Sequence, residues 1–320
     1  MLWPVSRYVL CGLFLCGSVL AEQVREQVHE FSVGERPRLS FELPAGAVEL
    51  VAGEAGVVKV RTRLSLADVE AKRAERVLDV WGFAFEQTPE GVRMVGSKRK
   101  AVVWDWDPLR NVQVNIEITA PAESDLRIDL TDGSVVIGEL HGDADVRLGS
   151  GSVFARRITG DARVRGERGL ITFGAVEGGV DIAVTSGEIV IGRAEGPVTV
   201  SSQGGSVEIQ QARDTVRATG SGVDLLVGLT GEARDGSDLN TSGGSVTLKL
   251  ERDADLVIDA RASLFGEVKV RGLPLEVLAG GVGSSRLQAQ VNAGGPRINL
   301  RASGGNVSLI GLEPLVATVP

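Results

Sequence analysis

The chain has 320 residues, with 42 acidic side chains against 34 Lys and Arg and a formal net charge of −8. A balance this acidic offers no overall electrostatic footprint for nucleic acid or for an anionic membrane. Forty-two glycines with only 4% aromatic residues fit a stack of short strands and tight turns.

In chain order, Arg7 precedes an apolar run from Tyr8 to Leu15, and small residues follow to Val19-Leu20-Ala21. This pattern predicts a signal peptide over 1–21, cut after Ala21. The apolar core is shorter than the roughly 20 residues that span a bilayer. Cys11 and Cys16 follow Leu10 and Leu15, bulky residues where lipid attachment needs a small one. Cleavage would remove both cysteines and Arg7. The mature chain then has no thiol, which excludes disulfides, thiolate metal sites and a cysteine nucleophile. The expected destination is the periplasm or the cell surface.

Residues 22–125 are read as an N-terminal capping region. Segments 37–63 and 110–120 alternate like strands. Between them, Ser65 with Asp68 resembles a capping box opening a helix from Leu66 to Val80. Its apolar side would be Ala67, Ala71, Ala74, Val77 and Leu78, and its expected role is to cover unpaired strand edges.

Residues 126–312 carry the repeat. Gly133, Gly151, Gly169, Gly187 and Gly205 recur at a constant step of eighteen, and Gly142, Gly160, Gly178 and Gly196 form a second series offset by nine. Aliphatic columns keep the same step: Val135, Val153, Ile171, Ile189, Val207, and Ile128, Val146, Val164, Ile182, Val200. Within each half the apolar spacing is two, the period of a strand with one buried face. A single coil cannot offset its own ordering entropy, so the stack is the folding unit. The expected fold class is therefore all-β, a β-solenoid of 18-residue coils with one short N-terminal helix as cap. The register is strict over 126–218 and irregular over 219–312, with 273–286 read as a loop, the last coils at Pro296–Leu309, and 313–320 a tail. The inward positions do not match a left-handed hexapeptide helix, and the paired glycines and aspartates of calcium-binding nonapeptide rolls are missing.

The phrases Leu43-Pro-Ala-Gly-Ala-Val-Glu-Leu50, Gly133-Ser-Val-Val-Ile137, Gly205-Ser-Val-Glu-Ile209 and Gly244-Ser-Val-Thr-Leu248 resemble a large bacterial family of β-strand-repeat putative adhesins of unknown function. The resemblance covers roughly residues 39–312. It implies a single-stranded parallel β-helix on exported or membrane-linked proteins, and it brings no catalytic residues.

Candidate sites are few, and no cofactor or metal site is expected. One outward face carries Val136, Phe154, Thr172 and Val190, flanked by Leu170, an apolar stripe that suggests a covering partner or self-association. Trp81, Trp104 and Trp106 are the tryptophans beyond the leader. In a strand Trp104 and Trp106 share one face and Asp105 and Asp107 the other, so they form either a satellite core or a sugar platform. Lys98-Arg99-Lys100 reads as an exposed hairpin tip. Asp145, Arg163, Asp181 and Arg217 make a column of ladder ion pairs. Asp143 and Asp161, one rung apart, have the spacing of a retaining glycosidase pair, yet each follows a turn glycine where aspartate serves its own backbone. His29 and His141 are isolated. The leading expectation is a non-enzymatic scaffold, adhesin-like or envelope-associated, with a surface, envelope or glycan partner and no nucleic acid. A carbohydrate-binding module using the tryptophans is the second reading, and a polysaccharide-active enzyme using Asp143 and Asp161 the third.

Overall fold

The computed structural model describes residues 22–67, 71–98, 112–230, 236–263 and 265–312. The expected leader 1–21 and the tail 313–320 lie outside the described residues. The protein is nearly all β, with twenty-three strands and one helix among the described residues. It divides into two compact units, Met1–Gly142 and Asp143–Pro320, so that the first expected repeat, to Leu140, falls in the N-terminal unit.

The N-terminal unit contains β1 (Gln23–Ser32), β2 (Arg38–Leu43), β3 (Gly46–Ala52), β4 (Val57–Leu66), α1 (Ala71–Leu78), β5 (Trp81–Thr88), β6 (Gly91–Lys98), β7 (Gln113–Ala120) and β8 (Asp125–Leu140). β8 bends near Gly133 and serves two ladders. Its first half pairs in parallel with β2, which pairs with β6, and β6 takes β5 antiparallel. Its second half pairs in parallel with β3, followed by β7, then β4 and β1 antiparallel. Period-two patterning explains the interior: Leu39, Phe41 and Leu43 of β2, Val48 and Leu50 of β3, and Ile116 and Ile118 of β7 are all buried. Each such side chain contributes about 1.5–3 kcal/mol on burial.

α1 buries Ala74, Val77 and Leu78 and packs beside β1 and β4. Arg25 of β1 donates to the Asp79 carboxylate just past its C-terminus, at 2.7 Å. The helix starts later than the capping-box reading predicts. Ser65 and Leu66 are 4% and 0% exposed, and they prolong β4. Tertiary burial overrides the local cap there; Asp68 lies outside the described residues.

The C-terminal unit begins with β9 (Ala144–Ile158), β10 (Ala162–Val176), β11 (Val180–Ala194), β12 (Val198–Ser202), β13 (Gly205–Ala212), β14 (Val216–Ser221) and β15 (Val223–Leu229). These pair in parallel and in register at a step of 18: Ala144 with Ala162, Val180, Val198 and Val216, and Gly151 with Gly169, Gly187, Gly205 and Val223. The predicted aliphatic columns are buried throughout, as in Val153, Ile171, Ile189 and Val207. The corner glycines are required by close approach. At Gly187 φ is +153°, and an added Cβ would sit 1.9 Å from the Gly169 carbonyl oxygen.

The step then changes. β16 (Ser237–Ser242) and β17 (Val246–Glu251) follow at a step of 21, Leu225 pairing with Val246. After β18 (Leu256–Ala262), β19 (Val268–Arg271), β20 (Leu275–Gly280) and β21 (Arg286–Val291), the chain returns as β22 (Arg297–Ala302) and β23 (Val307–Leu312). These last two strands do not stack at the end. β22 lies between β16 and β18, pairing Leu300 with both Leu239 and Ala260. β23 lies between β17 and β19, pairing Leu309 with both Leu248 and Val270. Part of the expected loop 273–286 is strand: β20 and β21 form an antiparallel hairpin that extends the ladder from β18.

Candidate functional site

Because Val153, Ala155, Ile171, Phe173, Ile189 and Ile191 face inward, the residue between each pair faces out. Register places Phe154, Thr172 and Val190 on three neighbouring strands, and the column ends on Glu208. Phe154 is 46% exposed, while Thr172 and Val190 are half-buried by their neighbours. Leu170, 45% exposed, stands two residues before Thr172 between Ser152 and Glu188. Val136 of β8 is also exposed, but it belongs to the N-terminal unit, where its partner is Glu49. The column is bounded on its far side by Gly174 and Gly192. A Cβ on either would lie 2.5 Å from a backbone oxygen of the preceding strand. The result is an apolar column whose Thr172 and Val190 rungs are flanked by bare backbone, with Arg156 beside Phe154.

The ionic column is assembled as its spacing predicts: Asp145, Arg163, Asp181, Thr199 and Arg217 are successive register partners. Arg163 lies 3.6 Å from Asp181, and Arg165 also bonds its carboxylate. The Arg165 hydrogen bond holds the Asp181 carboxyl below the usual aspartate range; burial opposes this, and the charges of Arg165 and Arg163 add to it.

Of the tryptophans, Trp81 opens β5 in the interior, 6% exposed, with the Lys98 ammonium 5.6 Å from its ring centroid. Its indole N–H has no acceptor among the described residues. It presents no platform to a sugar. Trp104 and Trp106, with Asp105, Asp107, Arg99 and Lys100, lie outside the described residues.

Asp143 and Asp161 act on the backbone. The Asp161 N–H donates to Asp143 Oδ1 and the Gly179 N–H to Asp161 Oδ1, each at 2.8 Å. Each carboxylate thus clamps the amide of the next strand. Asp224 does the same for Ser245 at 2.8 Å. The His29 ring packs at a tilt against Phe85, centroids 4.1 Å apart, with Phe31 nearby, and burial lowers its pKa. His141 Nδ1 lies 3.9 Å from Glu123. Among the described residues no cluster of His, Cys, Asp and Glu could hold a metal ion.

A second region was not singled out by the sequence. At the C-terminal corner Arg261 is the register partner of both Arg286 and Arg301, and Phe265 is fully exposed close by. No sequence step links positions 261, 286 and 301, so only the strand order reveals them.

No family model and no curated relative matches the sequence. Among solved structures the chain is similar to a putative cell adhesion protein from Clostridium sporogenes, at 11% identity and a TM-score of 0.23, over 91% of this chain and 100% of that one. It is also similar to a putative adhesin from Bacteroides fragilis, at 11% identity and a TM-score of 0.36, over 89% and 97%. A third is a putative lipid binding protein from Parabacteroides distasonis, at 9% identity and a TM-score of 0.37, over 89% and 96%.

Proposed function

We propose that this chain is an exported, non-enzymatic β-solenoid, a parallel β-helix of 18-residue coils that serves as an adhesin-like or envelope-associated scaffold. The apolar column Phe154–Thr172–Val190, with Leu170 beside it, is the contact surface. The observation that carries this reading is the exposure of the column: the ladder keeps its aliphatics inside everywhere nearby, yet leaves these residues in register on the outside. A stripe of this kind on a soluble monomer marks a surface that meets a partner. The N-terminal pattern Arg7 to Ala21 supports export, and α1 beside β1 and β4 fits a role in covering those strands. The roles of Asp143 and Asp161 as backbone clamps speak against a polysaccharide-active enzyme.

The test is the pair Phe154→Lys and Val190→Lys. Phe154 is exposed and Val190 half-buried on the outer face, so the unfolding free energy is expected to stay within about 0.5 kcal/mol of the parent. Sedimentation with isolated envelope fractions, or assembly size in solution, is expected to fall. Unchanged retention and unchanged assembly size would remove the column from the account.

A further inference from the structure

The C-terminal corner reverses the charge balance of the chain. Against a net charge of −8 overall, bases outnumber acids six to three between Leu256 and Leu312. Strand register concentrates them. Arg286 of β21, Arg261 of β18 and Arg301 of β22 are direct partners across three adjacent strands and are all exposed. Partners share a face, with neighbouring strands about 4.8 Å apart. Like charges directly opposite one another are destabilising. One carboxylate serves the row: Asp259 meets Arg261 at 3.2 and 3.3 Å. Among the described residues Arg301 and Arg286 form no ion pair.

Beside the row lies an open cleft of about 500 Å³ lined by Arg261, Ser263, Phe265, Arg301 and Ser303. Phe265 projects fully into solvent. Its loop is fixed at both ends: the Ala262 N–H donates to the Ser285 oxygen and the Val268 N–H to the Ser284 oxygen, each at 2.8 Å. Those bonds bring the tip of the β20–β21 hairpin to the same corner. Val282 at that tip is 54% exposed, and Val277 and Leu278 of β20 are exposed as well. The corner therefore joins an arginine row to protruding apolar side chains on a held frame.

We propose that this corner docks on a membrane surface containing acidic phospholipid, with Arg286, Arg261 and Arg301 on headgroup phosphates and Phe265 and Val282 in the acyl boundary. Charge complementarity selects this occupant. A polyanionic glycan would neutralise the arginines but leave Phe265 and Val282 in water, and a nucleic-acid base stacked on Phe265 would still leave Val282 there. A second copy related by two-fold symmetry would bring one arginine row against another. An anionic bilayer satisfies both chemistries at once. The inference deepens the envelope-associated reading and rests on it only for the chain's encounter with such a membrane.

Flotation of the purified protein with vesicles tests it, comparing phosphatidylcholine alone with an equal mixture of phosphatidylcholine and phosphatidylglycerol. Binding is expected to the mixture, weakening as salt rises. Arg301→Gln and Arg286→Gln should each weaken it about fivefold, and Phe265→Ser about tenfold or more. Arg217→Gln, which removes the same charge from the regular ladder, should bind as the parent does. Equal binding to both vesicles, indifference to Arg301→Gln and Phe265→Ser, or retention on heparin without vesicle binding would overturn the proposal. Such a failure, with the Phe154→Lys effect intact, would leave the scaffold reading standing.

Discussion

The ladder from Ala144 to Ser221 is parallel throughout, whereas the strands from Leu256 to Leu312 mix parallel and antiparallel pairing, and the two regions handle charge differently. In the first, each strand's neighbour is the segment one repeat away, and the column Asp145–Arg163–Asp181 alternates in sign; two residues on, Arg147 and Arg165 are like-charged partners, but Arg165 is neutralised by the Asp181 carboxylate. In the second, β22 and β23 insert between strands that precede them in the chain, which makes Arg301 a partner of Arg261, while antiparallel β21 sets Arg286 on the other side of Arg261. The fold tolerates the second arrangement because the inward residues, Ile258, Ala260, Ile298 and Leu300, are completely buried. Packing sets the register there, and the outward side chains follow. Where outward pairing opposes stability and packing does not require it, function is the natural place to look for a reason.

The largest test of this contrast lies in the core. Leu309 is 1% exposed and meets Leu248 on one side and Val270 on the other. As an internal strand residue it should behave like Ile189 of the regular ladder, with Leu309→Ala and Ile189→Ala each costing about 2–5 kcal/mol. Chemical denaturation measures both, and a cost at Leu309 well below that at Ile189 would mark β23 as a frayed end. A smaller test uses sign. Arg163→Gln should destabilise by about 0.2–1 kcal/mol, because an opposite-charge partner is lost. Arg301→Gln should stabilise by a similar amount, since a like-charge partner is removed, and added salt should shrink both effects. The same sign for both would refute the contrast.

The smallest effect is on acid stability. The Asp181 carboxyl is held low by Arg165, so its contribution is present above the unfolded aspartate value of about 3.9 and is lost as pH falls through the lower folded value. Both groups are partly exposed, which limits the effect to a few tenths of a kcal/mol. Asp181→Asn should therefore lower stability slightly at neutral pH and flatten the acid limb, as read from unfolding midpoints between pH 6 and pH 3.

How much was legible in the sequence follows the same division. The buried columns through Val153, Ile171, Ile189 and Val207 could be written down from spacing alone, because each strand's spatial neighbour is its neighbour in the repeat. The outward positions Phe154, Thr172 and Val190 came with them, since alternation fixes both faces at once. The lengthening of the step was visible as altered glycine spacing near Gly222 and Gly244. The insertion of β22 and β23 was not, since Leu248 and Leu309 are far apart in the chain and either stacking order buries the same side chains. β20 was missed for a related reason: its residues after Leu275 are exposed on both faces, so no period-two signal exists. The arginine row depends on the insertion of β22 and on the antiparallel return of β21 beside β18. The helix was predicted too long because Ser65 and Leu66 satisfy a capping pattern locally but are buried as part of β4.

Strand order at the C-terminal end is the point on which the corner site depends, and disulfide trapping reads it directly. In a Cys11→Ser, Cys16→Ser background, outward Thr247 and Ser308 are register partners, as are Ser308 and Lys269. Neighbouring parallel strands bring Cα atoms within disulfide reach, whereas strands two apart do not. Thr247→Cys with Ser308→Cys should cross-link within the monomer under mild oxidation, and Thr247→Cys with Lys269→Cys should not. The opposite pattern, with 247 joined to 269 and not to 308, would mean that the strands stack in chain order and would take Arg301 out of the arginine row.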